Sequence, residues 1–394
     1  VDWQGIREQY AAMLPDCVSR RDVSFVLREM ISELNVGHAY YFETPGLERG
    51  SGASTGLIGV DFALENGAYR IARVPRPAAW DFADRSPVDQ PGIDINEGDY
   101  ILAVNGVPMD TSKDPYAAFL NTAGDHVTLT VSENPEMDDE AREVLVKTVR
   151  SERTLRYRDW VERTRQYVDE RTSGKVGYVH VPNTAFAGHI ELFRGSYGQI
   201  GKEAMIIDER WNGGGFIPTR MIGLLNRERE FYMATRDGHP QPWPYDGHHG
   251  PKAMLINRSA GSGGDCFPWL FKHHDLGPVV GTRTWGGLVG YGSVPGFIDG
   301  SGCAVPNWAF YENDGTWGVE GYGVDPTPPS WTTPPSCSTA ATRRSTSRST
   351  SCSRRSRPTP ASTSRSPPTQ TGQAWASPTK IAKPTVRPRL VADL

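Results

Sequence analysis

The chain has 394 residues, of which 37% are hydrophobic and 22% are charged, and its formal net charge is −4. This length predicts two or three domains, and the composition is that of a globular protein rather than a wholly disordered one. No stretch reaches the ~18 consecutive apolar residues of a membrane-spanning helix, and the N-terminus lacks the basic-then-apolar layout of a signal peptide. We therefore expect a soluble protein that is not exported and does not bind membranes.

Cysteine usage and charge distribution exclude further classes. The five cysteines are an odd number and form no CxxC pair, which argues against a disulfide framework and a zinc cage and favours a reducing compartment. Residues 331–394 hold 11 Lys and Arg but one acid, Asp393, so residues 1–330 carry a net charge of −14. Because this main body is acidic, we expect no nonspecific binding of nucleic acid. We also expect no metal or other cofactor.

The N-terminal segment has a helical pattern. Apolar residues recur at helical spacing from Trp3 to Tyr41, with a break at Pro15 and Asp16. This pattern predicts two helices, the second of which ends near Gly37, because glycine commonly terminates a helix.

Residues 56–150 have a different sequence pattern, which predicts short β-strands separated by turns. Apolar strand patterns cover 56–62, 69–74, 100–104 and 127–131. The pairs Asn66-Gly67 and Asn105-Gly106 predict tight hairpin turns. The run from Ile95 to Gly106 resembles the most recognisable segment of PDZ domains, and any other small β-barrel is the alternative.

An alternation of helices and strands follows. Residues 153–172 form a charged amphipathic pattern, and short apolar strands are predicted at 176–181, 204–208, 252–257 and 279–281 with helical stretches between them. Such an alternation is typical of a mixed α/β sheet, in which functional loops follow the strand ends.

Two glycine-rich loops follow predicted strands and are candidates for chemistry. Ser262 lies between glycines at a strand-to-helix turn, where its hydroxyl would be exposed beside free N–H groups, as a nucleophile next to an oxyanion hole requires. A helix N-cap is the alternative. The second loop, 208–215, lacks the Lys-Ser/Thr pair of a phosphate-binding loop. His38 follows Gly37 at a helix end, where its imidazole could be held in place.

Six segments in order carry a family resemblance. They are Glu33–Tyr40, the PDZ-like run, Asn212–Gly215, Gly261–Asp265, Gly281–Gly287 and Val319–Pro326. Together they resemble the C-terminal half of the tricorn-type serine peptidases over residues 1–326. The resemblance implies an α+β and α/β multidomain fold: a small helical segment (1–53), a PDZ-like β-barrel (54–152) and a mixed α/β catalytic domain of tail-specific-protease type (153–330). We expect a disordered tail at 331–394.

The resemblance also implies a mechanism and the residues that perform it. Ser262 would be the nucleophile and His38 its general base, in the hydrolysis of short peptides. The oxyanion hole would consist of the N–H groups of Gly215 and Gly263, and the family's carboxylate falls on Glu320. Members of this family are large cytosolic homo-oligomers that carry N-terminal β-propellers. The resemblance therefore implies a cytoplasmic protein that forms homo-oligomers.

The chain departs from the family beside the base. The family reaches its carboxylate through a bridging serine, and the residue at that place is Gly37. A water could replace the hydroxyl, or backbone contacts alone could orient His38, and we expect weakened rather than abolished catalysis. Substrate binding is predicted for Gly213 and Gly214, and the resemblance implies that Met233 lines the S1 pocket. An apolar Met233 there would favour Leu, Phe or Ala at P1 over Arg.

Two other functions stay open on the sequence. A carboxyl-terminal processing peptidase would use a Ser–Lys dyad, but Lys272, ten residues after Ser262, is a poor fit to its spacing. Alternatively, the chain could be a catalytically weak or inactive peptide-binding protein whose PDZ domain captures C-terminal carboxylates by strand addition.

The composition changes abruptly after Asp325-Pro326. Residues 331–394 are rich in Ser, Thr, Pro and Arg and contain no Glu, but they include two Cys and two Trp. A natural basic arm is one explanation. The mixture is also what a G+C-rich coding sequence yields out of frame, which predicts a frameshift near codons 327–331. Translating the other forward frames tests this: an acidic, helix-patterned continuation would support it, and scattered stop codons would contradict it.

Overall fold

The computed structural model describes residues 2–44, 52–234, 236, 238–292 and 296–327. The tail predicted at 331–394 therefore lies outside the described residues. The chain divides into two compact units. The first contains residues 1–44, 181–193 and those from 207 onward, and the second contains residues 45–180 and 194–206.

The first unit begins with the two predicted helices. Helix α1 is Trp3–Ala11 and helix α2 is Arg20–Ser32, which starts at a capping box made by Ser19 and Asp22. Helix α2 ends earlier than predicted, and the chain then turns through Asn35 and His38, both with positive φ. Strand β1 (Tyr40–Phe42) follows and places His38 at its start.

The second unit contains a six-stranded antiparallel sheet of order β2-β3-β4-β6-β7, with β5 paired to β4. The strands are β2 (Asp61–Glu65), β3 (Ala68–Arg73), β4 (Tyr100–Val104), β5 (Val107–Pro108), β6 (His126–Ser132) and β7 (Arg142–Lys147). Both predicted hairpin turns are present: Asn66-Gly67 joins β2 to β3 and Asn105-Gly106 joins β4 to β5, each with positive φ at both residues. Strand β7 was not predicted; its apolar run is only three residues long, Val144 to Val146, and charged residues bound it on both sides.

The core of this sheet lies on one face and is wholly aliphatic apart from Phe119. Its fully buried members include Ile58, Ile71, Ile101 and Leu129. Each such side chain stabilises the fold by roughly 1.5–3 kcal/mol relative to exposure. The unit continues into helix α3 (Arg153–Arg171) and strand β8 (Val176–His180), which pack together.

The four strands predicted in this region are present with helices between them, and three further short strands were not predicted. The remaining elements are α4 (Phe186–Tyr197), β9 (Ala204–Asp208), α5 (Pro218–Leu225), β10 (Phe231–Met233), β11 (Gln241–Trp243), β12 (Lys252–Ile256), α6 (Gly263–His273), β13 (Val279–Gly281) and β14 (Gly302–Ala304). A four-stranded sheet has the order β13-β12-β9-β8, and β12 pairs with β13 in parallel. The predicted mixed α/β multidomain class is confirmed.

Three contacts within the first unit place its loops. Strand β1 pairs with β14, which fixes the segment after His38. Helix α5 packs on α6, where Met221, Phe267 and Phe271 are fully buried. The loops after β9 and β12 leave the sheet side by side, since the N–H of Glu209 donates to the carbonyl of Leu255. In the part of the chain that the structure describes, no helix combines the length and the apolar character needed to cross a bilayer.

Candidate active site

Ser262 lies on a sharp turn between β12 and α6. Its φ is 60° and its ψ is −119°, a conformation that residues other than glycine rarely adopt. The turn is closed by a 2.8 Å hydrogen bond from the N–H of Gly264 to the carbonyl of Gly261. Such strain is typical of functional sites, and here the surrounding contacts hold the serine at the N-cap of α6, directly before the first helical residue, Gly263.

Asp265 holds this turn in place. Its carboxylate accepts hydrogen bonds from the backbone N–H of Ser262 (2.8 Å), Gly286 (2.8 Å) and Gly287 (3.1 Å). Burial raises the pKa of Asp265, against the opposing effect of the hydrogen bonds it accepts. No role was predicted for Asp265 from the sequence, although an acid three positions after a serine at a helix start is a capping signal that points to it.

Asn212 ties the second glycine-rich loop to the first. Its side chain is fully buried, accepts from the N–H of Gly214 (2.9 Å) and donates to the carbonyl of Val181 (3.2 Å). Its own carbonyl accepts from the N–H of Gly261 (3.1 Å). Hydrogen bonds to Asn212 therefore join the two glycine-rich loops at the turn that carries Ser262.

Two N–H groups beside Ser262 are unpaired. Within the described residues, neither Gly215 nor Gly263 donates a backbone hydrogen bond, whereas Gly213 donates to Pro182 and Gly214 donates to Asn212. The two free groups are close together, since a Cβ built on Gly263 would lie 2.8 Å from the nitrogen of Gly215. Paired free donors next to a serine are the arrangement that stabilises a developing oxyanion.

His38 is held by aromatic rings. Its imidazole packs against Trp285, Tyr40 and Tyr291, with ring centroids 5.3, 5.9 and 6.0 Å away. Its Nδ1 is buried and has no hydrogen-bond partner among the described residues. Burial lowers the pKa of His38 and the charge of Glu320 opposes that effect, so the ring is neutral near pH 7 and able to accept a proton.

Glu320 is anchored by the backbone and makes no hydrogen bond to His38 in the described part of the chain. Its Oε2 accepts hydrogen bonds from the N–H groups of Leu288 and Val289, the latter at 2.7 Å. A Cβ built on Gly37 would lie 3.5 Å from Glu320 Oε1. The gap that the sequence predicts between carboxylate and base is therefore present at Gly37, and a side chain there would face the carboxylate.

One cavity of about 480 Å³ joins the candidate groups. Ser262, His38 and the four glycines 213, 214, 215 and 263 all line it, and one side is apolar, formed by Phe216, Leu288, Trp308 and Phe310. No hydrogen bond joins His38 to Ser262 within the described part of the chain, as is common before a substrate binds. Glu320 lies behind His38, in the lining of a separate cavity that also includes Gly37.

Two residues from the sequence analysis lie elsewhere. Met233 is 41% exposed on the β10–β11 hairpin and is not among the residues that line the Ser262 cavity. Lys272 donates from Nζ to the carbonyl of Asp325 (3.1 Å) and lines a different cavity. The Ser–Lys alternative therefore has no geometric support here.

Glu209 is an unexpected feature of the site. Its side chain is fully buried, and neither carboxyl oxygen has a hydrogen-bond partner among the described residues. Burial, and after it the charges of Asp265 and Asp208, raise the pKa of Glu209 well above its ordinary value. Nothing in the sequence around it signals burial, because it lies between Asp208 and Arg210 in a polar run.

Comparison with known proteins agrees with this arrangement. The model of the Tricorn protease PDZ domain matches residues 56–151, and that of Peptidase family S41 matches residues 175–329. The chain is 37% identical over 327 residues to Tricorn protease homolog 1 of Streptomyces coelicolor, covering 83% of this chain and 30% of that protein. It is 34% identical over 328 residues to the Putative Tricorn-like protease C-terminal subunit of Sulfurisphaera tokodaii, covering 82% and 37%.

A solved structure has the same fold. The crystal structure of the tricorn protease superimposes with a TM-score of 0.75 at 33% identity, over 82% of this chain and 31% of that one. The chain thus spans about a third of the length of the relatives it matches. Because both domain models match and these identities extend over most of the chain, the chain belongs to peptidase family S41, among its tricorn-type members.

Proposed function

We propose that the chain is a serine peptidase that hydrolyses short peptides with Ser262 as nucleophile and His38 as general base. The observation that carries this proposal is a single cavity lined by both side chains and by the two unpaired N–H groups of Gly215 and Gly263. Burial favours the neutral form of His38, which can accept the hydroxyl proton of Ser262.

The reaction proceeds in two halves. His38 takes the hydroxyl proton of Ser262 as the oxygen bonds to the peptide carbonyl carbon, and the oxyanion receives hydrogen bonds from Gly215 and Gly263. The imidazolium then gives its proton to the leaving amine as the C–N bond breaks, which leaves an acyl-enzyme. Water, deprotonated by His38, attacks the ester in the second half, and the proton returns to Ser262 as the acid product departs.

Glu320 has an indirect role in this proposal. Its negative charge favours the imidazolium that forms during attack, and the two backbone hydrogen bonds to Oε2 fix the carboxylate. Because no side chain at Gly37 joins it to the ring, we expect the orientation of His38 to depend mainly on the rings of Trp285 and Tyr291. This arrangement supports catalysis that is weaker than a bridged site would give.

The substrates that fit are short peptides with an apolar side chain next to the scissile bond. The cavity wall offers Phe216, Leu288, Trp308 and Phe310, and His38 is the one residue of its lining with a basic side chain. An arginine side chain of the substrate at this wall would lose its hydration without gaining an acidic partner, since no Asp or Glu is among the residues described as lining the cavity. We expect Leu or Phe to be preferred over Arg by about tenfold in a panel of fluorogenic tripeptides. Met233, as an S1 residue, remains a prediction for the same panel.

The wider context is also part of the proposal. We infer a homo-oligomeric protein of the cytoplasm, with the domain limits 1–53, 54–152 and 153–330, from the tricorn-type relatives that the chain matches. Size-exclusion chromatography with light scattering tests the assembly. A monomer at micromolar concentration would contradict it.

Mutual dependence of the two residues tests the mechanism. Ser262→Ala and His38→Ala should each remove nearly all hydrolysis, and the double variant should be no worse than either single one, because residues that act in one step are strongly non-additive. Losses that multiply in the double variant would show that the two side chains act in separate steps. Lys272→Ala is the matched control, and it should retain activity.

A further inference from the structure

Thr184 holds the loop that carries one of the two unpaired N–H groups. It lies between β8 and α4, and it is fully buried. Its N–H donates to the carbonyl of Gly214 at 2.9 Å, and its own carbonyl accepts from the N–H of Ile217 at 3.0 Å. Gly215 is thus bracketed on both sides by the backbone of a single residue.

The side chain of Thr184 also packs against Gly263, the residue that carries the second unpaired N–H group. A Cβ built on Gly263 would lie 2.0 Å from Thr184 Oγ1 and 2.3 Å from the carbonyl oxygen of Gly215. A Cβ built on Gly215 would lie 2.4 Å from the carbonyl carbon of Thr184. The same threonine therefore packs against both glycines, and the hydroxyl and the Gly215 carbonyl crowd one point beside Gly263.

The hydroxyl has no partner in this state. Oγ1 is buried and makes no hydrogen bond within the described residues, although nearly all buried polar atoms in proteins are paired. The carbonyl of Gly215 likewise accepts no backbone hydrogen bond in the described part of the chain. A buried donor without a partner therefore lies close to a carbonyl that accepts no backbone hydrogen bond. Leaving these two groups without a hydrogen bond costs free energy.

We propose that Thr184 is a positioning residue of the oxyanion hole, whose hydroxyl donates to the Gly215 carbonyl when the oxyanion forms. That bond fixes Gly215 so that its N–H points at the oxyanion, while the packing against Gly263 sets the spacing of the two donors. Thr184 does not line the cavity and does not touch substrate. The inference rests on the proposed function, because it assigns the same two N–H groups to the oxyanion.

The test compares variants that separate the hydroxyl from the methyl group. Thr184→Val keeps the shape and removes the hydroxyl, and Thr184→Ser does the reverse. We expect Thr184→Val to lower kcat about tenfold while KM stays within about twofold. The affinity for a peptide aldehyde inhibitor, which forms a tetrahedral adduct with the serine, should fall by the same factor. Ser should retain kcat within about threefold.

Several outcomes would overturn the inference. They are an unchanged kcat in Thr184→Val, an equal loss in Thr184→Ser, or a change in KM without a change in aldehyde affinity. If Thr184→Val does not fold, Thr184→Ala replaces it, and a kcat for Ala as high as that for Ser contradicts the role of the hydroxyl. Ser262→Ala separates a failure of the proposed function from a failure of this inference. Hydrolysis that persists in Ser262→Ala refutes the proposed function. If Ser262→Ala abolishes hydrolysis but Thr184→Val leaves it unchanged, only the inference about Thr184 is refuted.

Discussion

Restoring a hydroxyl at Gly37 should strengthen catalysis. In Gly37→Ser the new Cβ lies 3.5 Å from Glu320 Oε1, so its hydroxyl is within reach of a hydrogen bond to the carboxylate. Within the described residues, Oε1 accepts no hydrogen bond, since both backbone donors go to Oε2. The serine can therefore link Glu320 to the imidazole of His38 without displacing either hydrogen bond that Oε2 accepts.

The expected size follows from two opposing effects. A hydrogen bond to a charged group contributes about 1.5–3 kcal/mol. Against this, the new Cβ would lie 3.1 Å from the Cα of Gly287, a tight contact that requires the backbone to shift slightly. We expect about 1 kcal/mol to remain in the transition state, which corresponds to an increase in kcat of about fivefold with KM nearly unchanged.

The assay is steady-state hydrolysis of a fluorogenic tripeptide by purified variants of equal folded fraction. Gly37→Ala is the matched control, because it makes the same contact with Gly287 but carries no hydroxyl, and its kcat should not rise. The gain should also disappear in the Glu320→Gln background. An equal gain in Gly37→Ala, or no gain in a folded Gly37→Ser protein, would refute the reasoning and indicate that a water already links Glu320 to the base.

Three further predictions concern pH and specificity. Because burial lowers the pKa of His38, kcat/KM should fall on acidification with a midpoint below 6.5, and a midpoint above that value would contradict the assignment. The raised pKa of Glu209 means that the folded protein binds this proton more tightly than the unfolded chain, so stability falls as pH rises above about 4.3. The melting temperature of Glu209→Gln should therefore exceed that of the wild type by an amount that grows from pH 4 to pH 8. A difference between the two proteins that does not change with pH would refute this. Trp308→Ala should lower kcat/KM about tenfold for a Phe substrate and little for an Ala substrate, and equal losses would exclude a role in specificity.

Local chemistry made much of the fold predictable. The hairpins at Asn66-Gly67 and Asn105-Gly106 need positive φ at both turn residues, which these residue types tolerate best. Helix α3 was predicted within one residue at its C-terminal end because its amphipathic pattern is long. Strand β7 was missed because its burial depends on the neighbouring strand β6, and no local pattern records that pairing.

The candidate site was predictable in its parts but not in its support. The glycines and Ser262 could be recognised because their residue types suit a sharp turn with free N–H groups. Asp265, Thr184 and Glu209 owe their surroundings to loops that meet only in the folded chain, so burial and missing partners cannot be read from their neighbours in sequence. The aromatic support of His38 is equally non-local, since Trp285 lies 247 positions away by number.

Covalent labelling of Ser262 tests the central claim most directly. A peptidyl phosphonate that reacts with activated serines should add one equivalent to the wild-type chain, and peptide mapping should place the adduct on Ser262 while hydrolysis falls in proportion. The His38→Ala variant should react far more slowly, because the hydroxyl then has no base. Hydrolysis that persists after complete labelling, or an adduct on another residue, would contradict the account.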